Sequence, residues 1–115
     1  VQIAQVVPGY DFPRPAPPFE AVGPIRRPEE ETPEPLPFEP DPDRPLVFAT
    51  MGTLQGGRLA LWQAIVRACH EAGAQIVIAH GGKLSESDAA FLGADYVAPF
   101  LSYRAILARA DLCLT

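Results

Sequence analysis

The chain has 115 residues and a mass of 12.4 kDa, room for one small domain and no more. Hydrophobic residues at 48% and charged residues at 20% are globular proportions. A net charge of −5, a pI near 4.9 and the lack of any Lys/Arg cluster exclude a reader of the phosphate backbone, so nucleic acid is not an expected partner.

Composition divides the chain near Pro45. Thirteen of the 14 prolines precede Leu46, as does the whole net negative charge. Val1 to Val7 predicts a short strand, stopped at Pro8-Gly9. Residues 13–45 read as a Pro-rich, acidic tether. Pro at this density fixes φ and removes N–H donors, and Glu29-Glu30-Glu31 adds self-repulsion. Phe12, Phe19, Val22 and Ile25 are spaced anchors for a folded surface, and residues 28–43 are expected to be the looser part.

From Leu46 the pattern becomes alternating strand and helix. Residues 46–50 (LVFAT) and 75–79 (QIVIA) are apolar runs of the kind buried on both faces of a parallel sheet. Between them a glycine-bearing loop, 51–57, leads to a helix whose Leu59, Trp62, Ile65, Val66 and Cys69 share one face, with Gly73 as its stop. Ser85-Glu86-Ser87-Asp88 has capping-box spacing and opens a short helix through Leu92, closed by Gly93. A strand over 95–98, a helix over 102–109 and a strand over 111–115 complete the series. Right-handed βαβ crossovers then give an α/β fold, part of a doubly wound parallel sheet in the order 3-2-1-4, with a ligand crevice outside the carboxyl ends of the strands.

Three loops at those ends carry candidate chemistry. Thr50 to Gly57 (TMGTLQGG) runs from strand into helix, where glycines let backbone N–H groups approach a phosphate; it matches neither GxGxxG nor GxxxxGK[ST], and a plain tight turn explains the glycines as well. His80-Gly81-Gly82 places an imidazole in a loop, without the partners that a metal site or a general base needs. Phe100-Leu101-Ser102-Tyr103 offers aromatic rings to stack on a flat base and Leu101 backbone groups to read its edge, or else a core plug in Phe100. His70, Arg58, Arg67, Arg104 and Arg109 are expected on solvated helix faces, and Cys69 and Cys113 as buried, reduced thiols.

The sequence from Phe48 to Gly56 (FATMGTLQG), with Arg58, Leu61, Ala68-Cys69, Ala74-Gln75, Ala79-His80-Gly81-Gly82 and Leu84-Ser85, resembles UDP-sugar-dependent glycosyltransferases of the two-domain GT-B type. More narrowly it is similar to the bacterial carotenoid (zeaxanthin) glucosyltransferases, which Tyr10 to Arg14 and Ala21 to Pro24 also resemble. The resemblance covers nearly the whole chain; 28–44 are not diagnostic. It implies that residues 1–12 end an N-terminal acceptor domain, 13–45 link the domains, and 46–115 form the first half of the donor-binding domain. It implies a donor site in which Gly52 and Thr53 hold the diphosphate, Phe100 stacks on uracil and Leu101 pairs with its edge. Ser102-Tyr103 departs from the family's Pro-Gln, putting Tyr103 where a glutamine contacts the nucleoside. The parent would move glucose from UDP-glucose to a carotenoid hydroxyl, with no metal or cofactor, in the cytoplasm and with peripheral membrane contact. Its catalytic histidine and second diphosphate segment would lie outside these residues, so the isolated chain, expected to be an excised piece, would contain no catalytic residue and be inactive. The alternative is a non-catalytic nucleotide- or partner-binding βαβ module with the Pro-rich segment as its docking arm.

Overall fold

A computed structural model describes residues 2–7, 19–25 and 34–115. The expectations placed on Pro8-Gly9, Phe12, residues 10–14 and Glu29-Glu30-Glu31 lie outside the described residues. The chain divides into two compact units, Val1–Glu31 and Thr32–Thr115.

In the first unit, β1 (Ile3–Ala4) pairs in parallel with β2 (Glu20–Ala21). The expected seven-residue strand is thus two residues long. It is extended by bonds from Val22 N–H to the Ala4 carbonyl (3.0 Å) and from Gly23 N–H to that of Val6 (3.2 Å).

The second unit is built on a four-stranded, all-parallel sheet. Its strands are β3 (Leu46–Thr50), β4 (Gln75–Ala79), β5 (Tyr96–Ala98) and β6 (Leu112–Leu114), in the order β5-β4-β3-β6. This is the 3-2-1-4 order expected from the alternation. Register follows from burial on both faces. Val47, Ala49, Ile76 and Ile78 point to one core, with Leu92 and with Trp62, Val66 and Cys69 of α2 (Leu59–Glu71); Leu46, Phe48, Val77 and Ala79 point to the other, with Ile106 of α4 (Tyr103–Leu107). A one-residue slip would exchange every one of these side chains.

Helix α2 ends where the sequence placed its stop. Gly73, at φ 74°, gives its N–H to the His70 carbonyl while Ala74 N–H reaches that of Cys69, closing a Schellman turn. Helix α3 (Glu86–Phe91) starts at Ser85, whose Oγ accepts from Asp88 N–H at 3.1 Å.

Three local expectations give way. The 51–57 loop contains a one-turn helix, α1 (Gly52–Gln55). Cys69 is buried but Cys113 is exposed, because it lies on β6 at the edge of the sheet. The third concerns residues 34–45, which form an extended strap on the sheet. Leu36 and Phe38 turn inward onto the Leu46/Phe48/Val77 core, and Phe38 stacks on Tyr96 with ring centroids 4.6 Å apart. The strap's far end is tied by Gln75, only 5% exposed: its amide accepts from Asp41 N–H and donates to the carbonyls of Asp41 and Arg44. Proline here rigidifies a packed segment. Among the described residues no helix is long and apolar enough to cross a membrane.

Candidate functional site

The loops after β3, β4 and β5 meet at the carboxyl ends of the strands. The first two touch backbone to backbone. A Cβ at Gly56 would stand 1.9 Å from the His80 carbonyl oxygen, and one at Gly81 would stand 2.7 Å from that of Gly52 and 2.9 Å from Thr53 Cα. Only glycine permits that approach. Gly52, Gly81 and Gly82 all have positive φ, between 60° and 72°. The third loop joins by backbone bonds from His80 N–H to the Ala98 carbonyl and from Gly81 N–H to that of Pro99.

His80 is part of this scaffold. It is 4% exposed, and its Nδ1 accepts the N–H groups of Lys83 (3.0 Å) and Leu84 (2.9 Å). An Nδ1 that accepts twice carries no proton, so the ring is the neutral Nε2–H tautomer, and burial pushes its pKa down. The sequence placed the imidazole in a loop without metal or base partners; the structure turns it inward, where it shapes the Gly81-Gly82 turn.

The five candidate ligand residues are brought to this one end of the sheet. Gly52 and Thr53 form the first turn of α1, exposed; its N-cap Met51 supplies no side-chain cap, and Gly52 N–H makes a long bond, 3.4 Å, to Thr50 Oγ1. Phe100 is 67% exposed, which rules out the core plug, and its ring edge would lie 3.7 Å from a Cβ on Gly82. Gly81-Gly82 is therefore a low bridge between Thr53 and Phe100. Leu101 packs against the second core, fixing the loop that presents Phe100. Tyr103 has a different place from its neighbours. Its hydroxyl is 3.0 Å from Thr50 Oγ1, and its ring meets Phe48 edge-on at 5.5 Å, so it braces the end of β3.

Strand order reverses between β3 and β6, where a doubly wound sheet opens a crevice. A cavity of about 310 Å³ lies there, lined by Thr50, Met51, Gln55, Arg58 and Leu114 among others. The sequence reading included Gln55 in the 50–57 loop without giving it a role and set Arg58 on a solvated helix face; their position just after a β-strand was the available signal. A larger cavity, about 570 Å³, opens between α3 and β5 and shares His80, Gly82 and Pro99 with the loop junction. The crevice at the strand reversal is the better candidate on sheet topology, and of the three loops the one after β3 lines it. Among the described residues no group of three His, Cys, Asp or Glu side chains gathers to hold a metal ion.

Over 119 aligned positions, 99% of this chain, the sequence is 39% identical to a zeaxanthin glucosyltransferase of Pantoea ananas and 41% identical to one of Pseudescherichia vulneris. This chain is homologous to the zeaxanthin glucosyltransferases. It spans 28% of the length of each of these two relatives. No family model and no solved structure matches it. The homology to zeaxanthin glucosyltransferases takes in all three loops described above, the glycine bridge included.

Proposed function

We propose that this chain is the donor-side section of a glucosyltransferase that transfers glucose from UDP-glucose to the hydroxyl of a zeaxanthin-like carotenoid. Residues 46–115 form the first half of a GT-B donor domain, 13–45 its connection to the preceding domain, and 1–12 the end of that domain. The observation that carries this reading is the glycine bridge. A flat backbone floor joins the first turn of α1, suited to an anion, to the exposed ring of Phe100, suited to a base, in a chain about 40% identical to two zeaxanthin glucosyltransferases.

In this arrangement Gly52 and Thr53 hold the diphosphate through backbone N–H and the Thr53 hydroxyl. Phe100 stacks on uracil while Leu101 backbone groups pair with its edge. Tyr103 supports β3 from behind. The chain's own residues bind and orient the donor; the proton transfer from the acceptor hydroxyl belongs to residues outside it. The docking-arm alternative loses force at the strap, whose Leu36 and Phe38 are spent on their own sheet.

The test is donor affinity in the intact protein carrying this chain. Thr53→Val and Phe100→Ala are each expected to weaken UDP-glucose binding about 10-fold or more, the size of a lost charge-assisted hydrogen bond or base stack. Unchanged affinity in both variants would overturn the assignment, and turnover by the isolated 115 residues would overturn the account of them as a section.

A further inference from the structure

The strap has two ends, and only one of them is remote from the donor loops. At the far end Arg44 Nη1 bonds the Asp95 carboxylate at 2.9 Å and its Nη2 bonds the Ala74 carbonyl at 2.7 Å, below the start of β5. At the near end the Glu34 carboxylate accepts the hydroxyl proton of Ser102. Ser102 is the N-cap of α4 and the residue after Leu101, and its Oγ also accepts from Ala105 N–H. The chain between these anchors cannot slacken. Pro35, Pro37 and Pro40 restrict its backbone, and Leu36 and Phe38 pack onto the same core as Leu101.

We infer that Glu34 is a positioning residue for the donor site: it holds the 99–103 loop, and with it Phe100 and Leu101, by fixing the Ser102 hydroxyl. The inference rests on the donor-site reading above. The strap grips the loop twice, by the Leu36 and Leu101 side chains on a shared core and by the carboxylate on its N-cap. The bond is charge-assisted and lies at the surface, so its contribution is modest and reaches the donor only through the loop.

The experiment is a cycle of Glu34→Ala, Ser102→Ala and the double variant, with Glu34→Gln as rescue, in the intact protein. The readouts are the Kd for UDP-glucose, the KM and kcat for that donor, and amide exchange at Leu101, Ala105 and Ile106 without ligand. Glu34→Ala is expected to weaken UDP-glucose binding about 3- to 10-fold, raise the donor KM by a like factor with kcat nearly unchanged, and speed exchange at those amides. Gln, which keeps an acceptor, should restore most of the affinity. The double variant should be no weaker than the weaker single one, since both remove the same bond. Additive losses, or wild-type affinity and exchange in Glu34→Ala, would overturn the inference. A wild-type protein that fails to bind UDP-glucose would instead overturn the donor-site reading; loop exchange in Glu34→Ala then decides on its own whether Glu34 holds the loop.

Discussion

His80 shows how one side chain can be read correctly as to place while its task goes unread. An imidazole followed by two glycines at a strand end suggests an accessible functional group, yet Nδ1 is consumed by the Lys83 and Leu84 N–H groups. Nothing in sequence spacing distinguishes these outcomes, because they differ only in which way the turn folds over the ring. The Gly81-Gly82 pair decides it: with φ of 65° and 72° the backbone doubles back, bringing residues 83 and 84 onto the ring. Removing the acceptor leaves the Leu84 N–H unpaired, at about 1–3 kcal/mol, and the Lys83 N–H with its 3.3 Å bond to the His80 carbonyl alone. His80→Ala is therefore expected to lower stability by at least that much, while His80→Asn, with an acceptor oxygen near the Nδ1 position, should lose less. The pH dependence separates them further. Burial lowers the folded-state pKa of His80 below its ordinary 6.5, so the unfolded chain takes up the proton first as pH falls. The stability that His80 contributes is complete above about pH 6.5 and lost as pH falls through that value toward the folded pKa. Urea unfolding at pH 7.5 and 5.5 should show a drop in the wild type that is smaller in His80→Asn; equal drops would refute the assignment.

At the scale of elements, strands and helices were legible because their patterns are redundant. Four consecutive apolar positions in β3 (46–49) and in β4 (76–79) admit little other than a strand buried on both faces, and α2 carries five apolar residues on one stripe. The strap was not legible, although its inward residues Leu36 and Phe38 alternate with outward Pro35, Pro37 and Glu39 in the period of a strand. Proline density masked that signal, since the same composition marks a solvated tether. Besides its apolar packing, the strap is bound by polar, long-range contacts: Gln75 from β4, and Asp95 before β5, whose carboxylate accepts from Arg44, from His70 (3.1 Å) and from Ile76 N–H (2.8 Å). Burial alone would push the Asp95 carboxyl up, but the Ile76 N–H, His70 and Arg44 together hold it below the usual carboxylate range. A depressed folded-state pKa gives stability that is present above the unfolded value near 3.8 and lost as pH falls through the folded one. Asp95→Asn should flatten the acid limb of the stability curve below the unfolded value near 3.8 relative to wild type. An acid limb of unchanged slope would show that the Asp95 cluster does not couple to folding.

For the molecule as a whole, the fold turns on how a four-stranded sheet covers two faces with few helices. Helix α2 covers the Val47/Ile76 face at full length, whereas α4, on the Phe48/Val77 face, has five residues and sets Ile106 on that core. Leu36 and Phe38 of the strap add to that cover beside Tyr96, Leu101 and Ala110, and the compact unit begins at Thr32 and not at the composition boundary near Pro45. This makes a connecting segment part of the core, and it makes the second face the place where the unit is most easily opened. Replacing Leu36 and Phe38 together by Ser keeps the strap's length, prolines and terminal anchors while removing the apolar cover from Phe48 and Val77. Fully burying such a side chain contributes about 1.5–3 kcal/mol, and both are only half-buried, so the double variant should lose about 1.5–3 kcal/mol in all. The uncovered face should also bind a hydrophobic dye, which the intact sheet does not invite. Substituting the outward Pro37 and Glu39 by Ser, on the opposite side of the same segment, should leave dye binding near wild type. If both double variants behave alike, the strap contributes chain connectivity and not cover, and the second face must be closed by other means.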